Sequence, residues 1–112
     1  MNQWIAHYEG QQLLLYRDPS NPYEDIRISI QVDGGCMYLG DEEYAYGPDG
    51  GHSMKIFTFD QENTEKVFDL LSEDGSDPVM VLKHMLGYPH RTRKFISLCE
   101  EKGIQFTGEL YL

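Results

Sequence analysis

Positive charge is scarce in this chain, and scarcest where negative charge is densest. Nine lysines and arginines face nineteen aspartates and glutamates over 112 residues, a formal net charge of -10. Residues 1–53 hold nine carboxylates against two bases, Arg17 and Arg27, a balance of -7. Residues 54–112 hold ten against seven, a balance of -3. Binding a phosphate backbone requires lysines and arginines that displace its condensed counterions. So poor a supply excludes direct nucleic-acid binding, and it disfavours an anionic membrane surface for the same reason.

Cysteine is almost missing. Cys36 and Cys99 are far apart, which excludes a disulfide framework and fits a reduced, cytoplasmic setting in a bacterial or phage context. No apolar run approaches the length of a membrane span. The opening MNQWIAHYEG has no basic region followed by a long apolar stretch, so no secretory signal is expected. Nucleotide and metal signatures are also lacking: no Walker A loop, no G-x-G-x-x-G after a strand, no C-x-x-C, no H-E-x-x-H. No cofactor and no metal are expected.

What is present is an ordinary globular composition, 40% apolar and 25% charged, in a chain of single-domain length spanning residues 1–112. In residues 26–32 the apolar side chains Ile26, Ile28, Ile30 and Val32 occupy every second position. A period of two puts all four on one face of a sheet and Arg27, Ser29 and Gln31 on the other. Asp33-Gly34-Gly35 supplies a tight hairpin turn, and residues 36–46 run back as its partner. Residues 4–8 and 13–17, separated by Glu9-Gly10-Gln11, read as an earlier hairpin, and residues 54–59 as a fifth strand.

The period then lengthens. Asp60 or Asn63 caps a helix whose inward face holds Val67, Leu70 and Leu71, and Gly75 stops it. Asp77-Pro78 opens a second helix with Val79, Leu82 and Leu86 inward. Pro89 opens a third, with Phe95, Leu98 and Cys99 inward and Gly103 as its end. Residues 104–112 read as a last strand. The expected fold class is therefore α+β: an antiparallel sheet of five to six strands with three helices on one face, in the order βββββαααβ.

The functional candidates begin with YLGDEEYAYGPDGG, residues 38–51. Asp41, Glu42, Glu43 and Asp49 lie among tyrosines with no lysine or arginine between them. The spacing is not that of an EF-hand calcium loop. Asp41 and Glu43 share one face of a strand, while Glu42 shares the other with Tyr44 and Tyr46. Six of the eight tyrosines, Tyr8, Tyr16, Tyr23, Tyr38, Tyr44 and Tyr46, fall within the first 46 residues. Tyrosine offers a large, rigid contact area with a polar tip, and neighbouring carboxylates steer a basic partner toward it. A solvated hairpin end that discourages edge pairing is the simpler account of the same residues.

His52 beside Ser53, after Asp49-Gly50-Gly51, is the nearest approach to an acid–base cluster. His84 and His90 flank the Gly87-Tyr88-Pro89 turn but lack the further ligands a zinc site needs. The basic run HRTRK, residues 90–94, stands at a helix start, where intramolecular carboxylates can balance it; an anion site built on Arg91 and Arg93 is the alternative.

The expected function is a small acidic binding protein that masks a basic partner, a toxin or nuclease domain. It follows the physical logic of bacterial immunity proteins. The residues expected at the contact are Asp41, Glu42, Glu43, Tyr44, Tyr46 and Asp49, with no catalytic residue. The alternatives are a phage-type inhibitor imitating nucleic acid, and a small enzyme or ligand-binding domain with a pocket near His52. A free edge strand would also allow a homodimer.

Overall fold

The computed structural model describes residues 2–18, 24–45, 51–86 and 92–111. Among them the element order is α1 (Gln3–Tyr8), β1 (Gln12–Asp18), β2 (Glu24–Asp33), β3 (Cys36–Ala45), β4 (His52–Phe59), α2 (Gln61–Leu71), α3 (Pro78–Met85), α4 (Thr92–Glu101) and β5 (Thr107–Tyr111). The five strands form one sheet in the order β1-β2-β3-β4-β5, with every neighbour antiparallel. The class is the α+β arrangement anticipated above, and the chain's last strand pairs with β4.

The first element differs. Residues 4–8 form a helix instead of a strand. The Asn2 side chain accepts from the Trp4 N–H at 2.9 Å and caps it, and Ile5 and Tyr8 are buried on one side. Gly10 at φ 79° then turns the chain, and its N–H donates to the Val32 carbonyl. Six residues are too few for a helix stable by itself; burial of Ile5 and Tyr8 decides the conformation.

Local signals elsewhere act as expected. Gly34 and Gly35 take φ of 61° and 76° in the β2–β3 turn. Asp60 caps α2 through the Asn63 N–H, and Asp77 caps α3 with Pro78 in its first turn. The remainder of the interval between α3 and α4, including Gly87, Pro89, His90 and Arg91, lies outside the described residues.

The core lies between one sheet face and the helices. Ile28, Ile30 and Val32 of β2, Met37 and Leu39 of β3, and Phe57 and Phe59 of β4 face Val67, Phe68, Leu82, Phe95 and Cys99, all buried. Two polar side chains pin α2 to the sheet. The Thr64 hydroxyl donates to the Phe59 carbonyl at 3.0 Å and accepts from the Met37 N–H at 2.9 Å. Asn63 accepts from the Gln105 N–H at 2.8 Å, anchoring the approach to β5.

The helices do not cover the whole face. Strands of ten residues run about 33 Å, whereas an eleven-residue helix reaches about 16 Å. The change shows on every central strand. On β3 the sequence of inward positions is Met37 and Leu39 buried, Asp41 half-buried, Glu43 exposed. On β4 it is Phe59 and Phe57 buried, Ser53 half-buried and Lys55 exposed. Ile26 continues the apolar alternation of β2 yet is only half-buried, because it pairs with Glu43 beyond the helical layer.

Candidate functional site

The uncovered end of the sheet carries the acidic segment. Strand alternation divides it between two faces. Asp41 and Glu43 are on the helix side, in register with Ile28 and Ile26 on β2 and with Lys55 and Ser53 on β4. Glu42 and Tyr44 are on the open side, in register with Arg27 and Asp25, and with Met54 and His52. Tyr46 and Asp49 lie outside the described residues. The structure therefore brings Asp41 to Glu43 and Glu42 to Tyr44, as two pairs back to back.

On the open side the groups are interlocked. The Tyr44 hydroxyl donates to Glu42 Oε2 at 2.8 Å, and His52 Nε2 stands 3.4 Å from the same oxygen. The His52 ring stacks on Tyr44, with centroids 4.3 Å apart and planes 9° from parallel. The Arg27 guanidinium lies over the same Tyr44 ring, 5.4 Å from its centroid, a cation–π contact. His52 opens strand β4 rather than sitting in a loop, and Ser53 next to it points to the opposite face. That alternation separates the two members of the acid–base cluster read from the sequence.

The sequence pattern did not reveal the charged centre of this face. Arg17 and Arg27, the two bases of residues 1–53, converge on one carboxylate. Arg17 donates from Nε to Asp25 Oδ1 at 3.4 Å and from Nη2 to Oδ2 at 3.3 Å. Arg27 donates to Oδ2 from Nε at 3.2 Å and from Nη2 at 2.9 Å. Asp25 is only 5% exposed. Burial by itself would raise its pKa, but the hydrogen bonds and charges of Arg27 and Arg17 outweigh that and hold it below the usual carboxylate value. A signal was available: Asp25 and Arg27 are two apart on one strand, hence on one face, and the period-two pattern of β2 already fixed that face as the open one.

Because Arg17 and Arg27 lie with Asp25 on the open face, the base in register with the helix-side carboxylates is Lys55, opposite Asp41. Its Nζ leans over the Phe57 ring at 5.3 Å. Glu43 is exposed and makes no ion pair among the described residues. The solvent face of α2 is acidic as well, with Glu62 and Asp69 exposed and Glu73 exposed just after the helix, and Lys66 is directed to Glu62 at 3.8 Å.

The remaining candidates are dispersed. His7 on α1 and His84 on α3 are exposed, as are Arg93 and Lys94 of the basic run, both on α4. Cys99 is fully buried, and burial pushes its thiol up to about 12, reinforced by the Glu100 charge; it is no nucleophile in the folded protein. Among the described residues no three histidine, cysteine or acidic side chains are grouped to hold a metal ion, and no helix is long and apolar enough to cross a membrane. Compared with protein-family models, curated proteins and solved structures, the chain matches none.

Proposed function

We propose that the chain is a small acidic binding protein that docks on a basic surface of a partner protein and masks it, in the manner of an immunity protein against a toxin such as a nuclease. The observation that carries this reading is the fate of the bases. Both arginines of the acidic half lie on the open face, where they meet at Asp25, while Glu43 on the opposite face is exposed beyond the helices without an ion pair among the described residues. Asp41 on the same face, and Glu42 with Tyr44 behind, complete an acidic strand end held by pairing on both sides. A strand paired on both edges is rigid, so its carboxylates need little reordering on contact. A basic partner gains electrostatic steering from them.

The test is co-expression with the product of the adjacent reading frame, followed by association kinetics at low and high salt. The expected result is a complex with a basic protein whose association rate falls with salt and falls several-fold further with Glu43→Lys, while dissociation changes little. Asp41→Asn is the companion variant, chosen because a lysine there would face Lys55 across the ladder. Glu43 is exposed, so its reversal should alter folding stability by no more than about 0.5 kcal/mol. A complex indifferent to both salt and Glu43→Lys would remove this face from the interface.

A further inference from the structure

Toward the β2–β3 turn, the open face carries a feature separate from the acidic strand end. Successive partners across all five strands form one rung there: Gln12, Gln31, Tyr38, Thr58 and Thr107. None of the five is charged, in a chain that is 25% charged. Four spacings of about 4.8 Å between neighbouring strands make the rung about 19 Å long. Gln12, Gln31 and Thr107 are exposed, and Tyr38 and Thr58 are half-buried. No side chain of the rung makes a hydrogen bond or ring contact among the described residues. Each carries an amide, phenol or hydroxyl that both donates and accepts.

The rung ends in a cavity of 240 Å³ lined by Thr58, Asp60, Asn63, Gln105, Phe106 and Thr107. Asn63 is 5% exposed and is fixed from both ends. Its Nδ2 donates to Asp60 Oδ1 at 2.8 Å, and its Oδ1 accepts from the Gln105 N–H at 2.8 Å. An amide nitrogen carries two protons, so one is left over. Asp60 Oδ1 also accepts from the Asn63 N–H at 2.9 Å, whereas Oδ2 takes no hydrogen bond among the described residues. An idle carboxylate oxygen and an idle amide proton thus stand beside each other. Two adjacent hydroxyls match them, one donating to Asp60 and the other accepting from Asn63. Phe106, half-buried against Phe57 and Phe59, gives the cavity an apolar wall.

We infer that the cavity and rung bind an extended, uncharged oligosaccharide, one sugar in the cavity and the next along the rung over Tyr38. A sugar ring has hydroxyls that donate and accept around its rim and apolar C–H groups on its faces. The rung offers the first kind of partner at every strand, and the Tyr38 ring offers an apolar surface for the second. Anions meet the carboxylates of Asp60 and of Asp33, which is exposed two residues beyond Gln31 on the same face. A cation finds no carboxylate along the rung itself. The cavity is smaller than the roughly 300–1,000 Å³ of a site that encloses a drug-sized ligand. It therefore holds a single ring, and affinity must grow with chain length along the sheet. A flat rung suits a straight β-1,4-linked chain.

The experiment is a titration of the isotope-labelled protein, following backbone and side-chain amides, with cellotetraose, glucose, glucosamine and glucose 6-phosphate. Cellotetraose is expected to give saturable shifts at Gln31, Tyr38, Thr58, Thr107 and the Asn63 side chain, and to bind about tenfold tighter than glucose. Tyr38→Ala should remove that advantage, about tenfold, and Tyr38→Phe should keep it. Thr107→Val, exposed on an edge strand and still β-branched, should weaken both sugars without lowering the melting temperature. Equal affinity for glucose and cellotetraose, tighter binding of glucosamine or glucose 6-phosphate than of glucose, or no saturable shift with cellotetraose would each overturn the assignment.

Discussion

One of the two polar side chains that pin α2 to the sheet does so through a buried hydroxyl, and its removal gives a sharp quantitative expectation. Thr64 is fully buried, and its Oγ1 bridges Met37 and Phe59, which are partners at one end of the β3–β4 ladder. Thr64→Val preserves shape but removes a group that both donates and accepts where water cannot substitute. Loss of partners for buried polar groups costs about 1–3 kcal/mol. For a chain of this length the unfolding entropy makes each kcal/mol worth about 4 °C, so the midpoint should fall by about 4–12 °C. Thr64→Ser supplies the control, because it keeps both hydrogen bonds and gives up one methyl group, worth about 1 kcal/mol. Urea and thermal unfolding of the three proteins, with unchanged denaturant slopes, would measure the differences. A valine variant as stable as wild type, or more stable than the serine variant, would refute the idea that the hydroxyl bridge fastens the helix to the sheet.

Acid should act through Asp25. Its folded pKa lies below the unfolded value, so the carboxylate form favours folding. The stabilisation is complete above the unfolded value of about 3.9 and is lost as pH falls through the lower folded value. Asp25→Asn should lower the melting temperature at neutral pH and flatten the acid limb; an acid limb identical to wild type would show that the arginines do not depend on this charge. Alkali should act through Tyr8, whose phenol donates to Asp77 and is pushed up to about 12, first by burial and then by the hydrogen bond and charge of Asp77. A raised phenol pKa stabilises the fold below the unfolded value of about 10, and this contribution disappears as pH rises toward 12. Phenolate absorbance should show two late-titrating tyrosines, Tyr8 and Tyr111, the latter raised by its hydrogen bond to Glu109, and Asp77→Asn should shift only the Tyr8 transition downward. Thiol labelling of the native protein should modify Cys36, which is partly exposed, and spare the buried Cys99 until unfolding; equal rates would contradict the packing around α4.

Much of the architecture is written locally. The alternation through residues 26–32, the glycine pair after Asp33, the caps at Asp60 and Asp77 and the stop at Gly103 each depend on groups within a few residues, so the sequence suffices to place them; α2 ends before Gly75, at Leu71 with Ser72 as its C-cap. The same alternation already separates Asp41 and Glu43 from Glu42 and Tyr44. Tertiary structure decided the rest. Residues 4–8 suit either a strand or a helix, and the core that receives Ile5 and Tyr8 selects the helix. Ile26 and Ile28 are equivalent as letters in a pattern, but the helices end between them, so one is half-buried and the other fully buried. Arg17 and Arg27 are ten residues apart in sequence and become neighbours only because β1 pairs with β2. Periodicity tells which face a side chain takes; it carries no information about what lies across the ladder or where the covering layer stops, since both depend on contacts between distant segments.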